Sequence, residues 1–187
     1  MEQERDDWAD RHVARWRDHW IDVAIDDDIE AITVRIGRIM RHLKASSQTA
    51  VAKAGLQDFE YDTLHQLMIR DTPGHANPSA LADDLGISAA GMTGRLDALE
   101  ASGWIQRRAM AEDRRRVAVE VTRAGIDIWR KAMDLRGKAE DELLAALPPP
   151  DRKTLAGLLK RLTLRIEDAD AGRRPPPTDE RPRPHST

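Results

Sequence analysis

The chain has 187 residues, 40% of them hydrophobic and 34% charged, with a formal net charge of −3 at pH 7. That suits one domain of ordinary size with appended helices, large enough to bury a core. With no cysteine, disulfides, thiol catalysis and cysteine-based redox sensing are excluded. No apolar run is long enough to span a bilayer, and the acidic opening MEQERDDWAD lacks the apolar stretch of a signal peptide, so a cytoplasmic location is expected.

Residues 7–20 read as a short helix with Trp8, Val13, Trp16 and Trp20 near one face, followed by an acidic break ending in Asp26-Asp27-Asp28. Ile29, Ile32, Ile36, Ile39, Met40 and Leu43 recur at steps of three and four and predict an amphipathic helix over 29–44. The small, polar stretch 45–57 reads as a weak helix end and a loop. Phe59, Leu64, Leu67 and Met68 mark the next helix, closed by the turn residues Pro73-Gly74.

Asn77-Pro78 is a cap followed by proline at the first helical position, and Gly86 stops the short helix it opens. Ser88 caps the following helix, 89–102, whose apolar positions are Met92, Leu96 and Leu99. Beyond Gly103, Trp104 and Ile105 begin a strand, and Val117, Val119 and Val121 alternate with Ala118 and Glu120 as a second strand. The charged link from Met110 to Arg116 is a hairpin tip. Thr122 caps a long helix through Leu147, which Pro148-Pro149-Pro150 breaks. Leu155, Leu158, Leu159, Leu162 and Ile166 give a last amphipathic helix, and the Pro- and Arg-rich end reads as a disordered tail.

Overall charge does not point to nucleic acid, but local charge does. Between Ile105 and Arg123 six arginines (107, 108, 114, 115, 116 and 123) face three acids, Glu112, Asp113 and Glu120. Two short helices joined by a tight turn, then a hairpin, make a winged helix-turn-helix. A capped helix with small residues at its N-terminus can approach base edges in the major groove. Here those residues are Ser88, Ala89, Ala90, Gly91, Met92 and Thr93. Arg114, Arg115 and Arg116 at the tip can reach a minor groove, with Asp113 holding one of them in place.

The run PSALADDLGISAAGMTGRLDALEASGWIQRR resembles the helix-turn-helix of MarR-type regulators, and EDRRRVAVEVTRAG resembles their wing, in the right order and at the right separation. The resemblance covers about residues 29–166. It implies a mainly α, dimeric winged-helix architecture with a small two- or three-stranded antiparallel wing. The implied segments are an N-terminal extension helix (1–28), a dimerisation helix and linker (29–57), the DNA-binding domain (58–123), C-terminal dimerisation helices (124–168) and the tail (169–187). The implied function is a ligand-responsive regulator, a repressor, that binds an inverted repeat as a homodimer.

The segment RHVARWRDHWIDVAIDDDIEAITVRIGRIMRHL is further similar to the opening of the urate-responsive branch, which carries an extra N-terminal helix. That branch's usual Pro-Asp-Leu-Asp stretch reads Trp20-Ile21-Asp22-Val23 here. By resemblance, Trp16, Asp62, Arg95 and Arg107 would bind urate or another aromatic anion, with Asp62 pairing with Arg95 when the ligand is absent. On the residues alone, Trp16 could equally be core and Asp62 a surface carboxylate.

The six histidines, His12, His19, His42, His65, His75 and His185, show no metal-like spacing. No phosphate loop or nucleophile motif is present, so no metal, cofactor or catalytic set is expected. The competing reading is a protein-interaction module that keeps the winged-helix fold without binding DNA.

Overall fold

In a computed structural model, the described residues are 5–17, 26–109 and 117–173. Helix α1 (Trp8–Arg17) opens on Asp7, whose carboxylate accepts from the backbone N–H of Ala9 at 2.7 Å and of Asp10 at 3.0 Å. Helix α2 (Asp27–Ala54) is capped by Asp26 and ends at Gly55, which takes the left-handed φ of 98°. The expected loop at 45–57 is therefore mostly helix. Ala45, Ala50, Ala52 and Ala54 favour helix, and Ala50, Val51 and Ala54 are buried, so packing carries α2 on to the first glycine able to close it.

Helix α1 lies along the first half of α2 and is tied there by charge. The Arg35 guanidinium forks onto Asp7 at 2.9 Å and Asp10 at 2.6 Å, His12 meets Glu30 at 3.2 Å, and Arg17 pairs with Asp27. Arg35 holds the Asp7 carboxyl well below the usual carboxylate range. Residues 18–25, including Trp20 to Val23, lie outside the described residues.

The core gathers around helix α3 (Asp58–Met68), helix α4 (Pro78–Leu85) and helix α5 (Ala89–Ala101). Leu64, Leu67, Leu81, Met92, Leu96 and Leu99 are sealed between them. Strands β1 (His75–Ala76), β2 (Ile105–Ala109) and β3 (Val117–Val121) form an antiparallel sheet in the order β1-β3-β2, with Ile105 opposite Val121 and Arg107 opposite Val119. Val119 and Ile105 add the sheet's inner face to the core.

Helix α6 (Arg123–Leu144) starts where Thr122 acts twice. Its hydroxyl donates to the Gly103 carbonyl at 2.7 Å and accepts from the Gly125 N–H at 3.0 Å. Ala132 of α6 is fully buried in the core, and the Lys131 ammonium donates to the Ala54 carbonyl at the C-terminal end of α2. The helix ends at Leu144, three residues before the Leu147 expected, in a turn that precedes Pro148.

The chain divides into two compact units after Asp141. The second unit carries helix α7 (Pro149–Arg173), which uses Pro149 and Pro150 in its first turn, where proline N atoms lose no bond. It runs past the expected tail boundary at 169, since Ala169 and Ala171 continue the helix; residues 174–187 lie outside the described residues. Leu158, Leu159, Leu162, Leu164 and Ile166 are exposed on it, as are Ile29, Ile32, Ile39 and Met40 on α2. No helix among the described residues is long and apolar enough to cross a membrane.

Candidate nucleic-acid interface

The turn between α4 and α5 follows from three residues. Asn77 caps α4, its side chain accepting from the Ala80 N–H at 2.7 Å. Gly86 closes α4 with φ 62°, a left-handed conformation that favours glycine. Ser88 then caps α5 by accepting from the Gly91 N–H at 3.1 Å.

On α5, Ser88, Ala89, Ala90, Gly91 and Thr93 are all exposed and share the open N-terminal half of the helix. Met92, expected among them, is 1% exposed and belongs to the core. It is a packing residue, because the 3.6-residue period that turns its neighbours outward turns Met92 toward Leu96 and Leu99. The Thr93 hydroxyl donates to the Ala89 carbonyl at 3.0 Å.

The wing tip, with Asp113, Arg114, Arg115 and Arg116, lies outside the described residues. The strands on either side of it, β2 and β3, are described. On one face of the sheet Glu120 accepts from the Gln106 amide at 3.0 Å and meets Arg108 at 3.2 Å and His75 at 3.8 Å. On the other face Arg107 turns to α5. Its guanidinium reaches Asp97 at 2.6 Å and the Thr93 carbonyl at 3.4 Å, its Nε lies 3.6 Å from Glu100, and its backbone N–H donates to Glu100 at 3.0 Å.

The four residues expected to share a ligand do not converge within the chain. Trp16 stands 40% exposed on α1, edge-on to His12. Arg95 lies over the Phe59 ring at 5.8 Å and makes no ion pair with Asp62. The expected closure is absent because the Phe59 face, one turn before Asp62 on α3, takes the guanidinium instead. Arg107 is held by Asp97 and Glu100.

Asp62 instead lines a cavity of about 360 Å³ between α2, α3 and α6, with Lys44, Gln48, Tyr61, Arg136 and Glu140. Here sequence reasoning missed a network. The Arg136 guanidinium donates to the Tyr61 hydroxyl at 2.6 Å and to Glu140 at 3.0 Å. Burial works against the Arg136 charge, but the Tyr61 and Glu140 bonds raise its pKa overall. Tyr61 stacks on His65, whose Nδ1 accepts from the Trp129 indole N–H at 3.3 Å. Burial, with Arg136 nearby, pushes the His65 pKa below its ordinary 6.5 against a smaller opposing pull from Asp62. The signal for this network was slight: a single tyrosine in the chain, and a Trp on α6 spaced seven residues from an arginine.

Residues 62–117, from α3 to the start of β3, match the MarR family. Over 152 residues the chain is 27% identical to the HTH-type transcriptional regulator PecS of Dickeya dadantii (strain 3937), covering 80% of this chain and 89% of that protein. Among solved structures it is similar to YusO from Bacillus subtilis, with a TM-score of 0.66 at 17% identity over 76% of this chain and 99% of that one. It is also similar to a mutant of S. aureus MepR bound to an oligodeoxyribonucleotide, with a TM-score of 0.58 at 18% identity over 72% and 97%. Such distant likenesses speak for the winged-helix fold, while the family match falls on the helix-turn-helix itself. Over residues 62–117 the chain is thus similar to the MarR family, and over most of its length it is similar to a transcriptional regulator.

Proposed function

We propose that this regulator binds an inverted repeat in double-stranded DNA as a homodimer, acts as a repressor in the cytoplasm, and lets go when a small aromatic anion binds. The observation that carries the DNA reading is the capped N-terminal half of α5. Its side chains at Ser88, Ala89, Ala90, Gly91 and Thr93 are small and exposed, so backbone and side chain can both approach base edges. The triple-arginine wing tip supplies the charge that the acidic chain otherwise lacks. Dimerisation is supported by the exposed Ile29, Ile32, Ile39 and Met40 of α2 and the exposed leucines of α7. A two-fold would set two recognition helices about one DNA turn apart, ~34 Å.

For the effector, the cavity beside Asp62 is a better frame than the four residues taken from the branch resemblance. Arg136 and Lys44 supply cations there in place of Arg95 and Arg107, and Tyr61 supplies a ring. Trp16 belongs to another part of the protomer. Its helix docks near Glu30, and Gln48 of the cavity lies eighteen residues along α2, ~27 Å away. Trp16 joins such a site only if a second protomer contributes it. Urate is the first ligand to try.

The test is a mobility shift of the DNA upstream of the gene over a range of salt, with and without urate. DNA reading requires affinity that falls steeply with salt. Binding to no duplex at all would favour the interaction-module reading. Asp62→Asn and Arg136→Gln should blunt release by urate; release at wild-type concentrations in both variants would place the effector elsewhere.

A further inference from the structure

We propose that Arg107 is a positioning residue for DNA reading, a clamp that makes the recognition helix and the wing one rigid reading unit. The inference rests on the DNA reading above and gives Arg107 a role other than ligand binding.

Helix α5 needs an external hold. It carries Gly91 and Gly94 within its first two turns, and glycine in a helix interior costs about 1 kcal/mol each relative to alanine. Its buried stripe of Met92, Leu96 and Leu99 fixes its depth in the core. A single apolar stripe leaves rotation and slide about that line less determined. Arg107 constrains both. One guanidinium spans the Thr93 carbonyl and the Asp97 carboxylate, one turn apart on α5, with the Glu100 carboxylate close by. Glu100 also receives the backbone N–H of Arg107, so strand and helix are joined through main chain as well as side chain.

Three details separate this from an ordinary surface ion pair. The Arg107 side chain is only 26% exposed. The Nε–Nη2 edge of its planar fork faces two carboxylates: Nη2 donates to Asp97 and to the Thr93 carbonyl, while Nε lies 3.6 Å from Glu100 without a hydrogen bond. Asp97 and Glu100 are exposed acids on a helix that would lie against phosphates. Unpaired, they would repel DNA; beside Arg107, half of their charge is cancelled. Because β2 pairs with β3, whatever fixes β2 to α5 also fixes the base of the wing tip. The major-groove and minor-groove elements thus share one anchor.

The experiment uses the full-length protein and a duplex selected by the wild type from a random-sequence pool, beside a shuffled duplex of equal composition. Arg107→Gln should weaken the selected duplex about tenfold. Its effect on the shuffled duplex should be no larger than that of Arg130→Gln, a charge-loss control on α6. Asp97→Asn should lower the same selectivity ratio, and the double variant should be no worse than Arg107→Gln, since both remove one interaction. Equal loss on both duplexes, with the salt slope smaller by about one, would mean that Arg107 touches a phosphate and would overturn the clamp. An unchanged ratio would overturn it too. If Arg107→Gln fails to fold, Arg107→Lys carries the test, because it keeps the charge but not the fork and should lose part of the ratio. Amide exchange over 93–109 without DNA must speed up in either variant. If it does not, the clamp fails whatever DNA does; if the wild type selects no duplex, only the DNA reading fails.

Discussion

Gly125 of α6 lies against the carbonyl oxygen of Trp104: a Cβ at position 125 would sit 2.1 Å from that oxygen and 2.8 Å from Val121 Cγ2. The obstacle is backbone, which cannot swing aside as a side chain can. The same glycine donates its N–H to Thr122, which in turn holds Gly103. Gly125→Ala should therefore destabilise the protein by about 3 kcal/mol, the upper range for overpacking. Urea unfolding is the measurement, and a midpoint within error of wild type would mean that α6 can move away from the wing at little cost.

Ser88 separates capping from DNA contact. Ser88→Ala removes the acceptor for the Gly91 N–H and should cost about 1 kcal/mol of stability. Ser88→Asp restores a cap and suits the helix dipole, so stability should return to near wild type. The added charge would face phosphate, so DNA affinity should fall and stay low. Thermal melting and DNA titration on the two variants should thus rank them in opposite orders.

The His65 site makes stability depend on pH with a definite sign. In the folded protein its pKa is pushed below 6.5, first by burial and then by Arg136. The unfolded chain therefore binds more protons as pH falls through 6.5. The stabilisation is present in full above that value and is lost as pH drops toward the folded pKa. Protonation at Nδ1 also removes the acceptor that Trp129 uses. Melting temperature should decline below pH 6.5, and His65→Gln should flatten that part of the curve. A wild-type decline that survives in the variant would assign it to other groups.

For the wing tip, Arg115→Ala should weaken operator binding by roughly 1–3 kcal/mol if the side chain enters a minor groove. Arg114→Ala should have the smaller effect if Arg114 is the neighbour that pairs with Asp113 or sits on phosphate. Titration of an Arg114/Arg115 double alanine variant with unchanged affinity would end the view of the wing as a DNA reader.

The helix-turn-helix could be read closely from sequence because its signals are local. Asn77-Pro78, Gly86 and Ser88 each act within four residues of themselves, and each stands at the cap expected. Residues 45–54 read as loop from sequence because their helix depends on burial of Val51 and Ala54 against distant parts of the chain, which no nearby residue announces. Met92 stands in a run of small residues that reads as a DNA face, yet its apolar spacing with Leu96 and Leu99 argues for the core it occupies. The Arg136–Tyr61 bond joins residues seventy-five apart, and Arg95 on Phe59 joins residues thirty-six apart. Pairings of that kind are set by how helices pack, and no nearby residue announces them.

The 28-residue length of α2 has a mechanical consequence. At 1.5 Å per residue it is a rod of ~42 Å, so a tilt of ~3° about one end displaces the other by ~2 Å. The salt-bridged N-terminal helix grips one end, and the Lys131 bond to Ala54 marks the other. A lever of that proportion needs no large rearrangement where it is pushed: a sub-ångström change near its fulcrum arrives at the far end as a step comparable to the tolerance of a hydrogen bond.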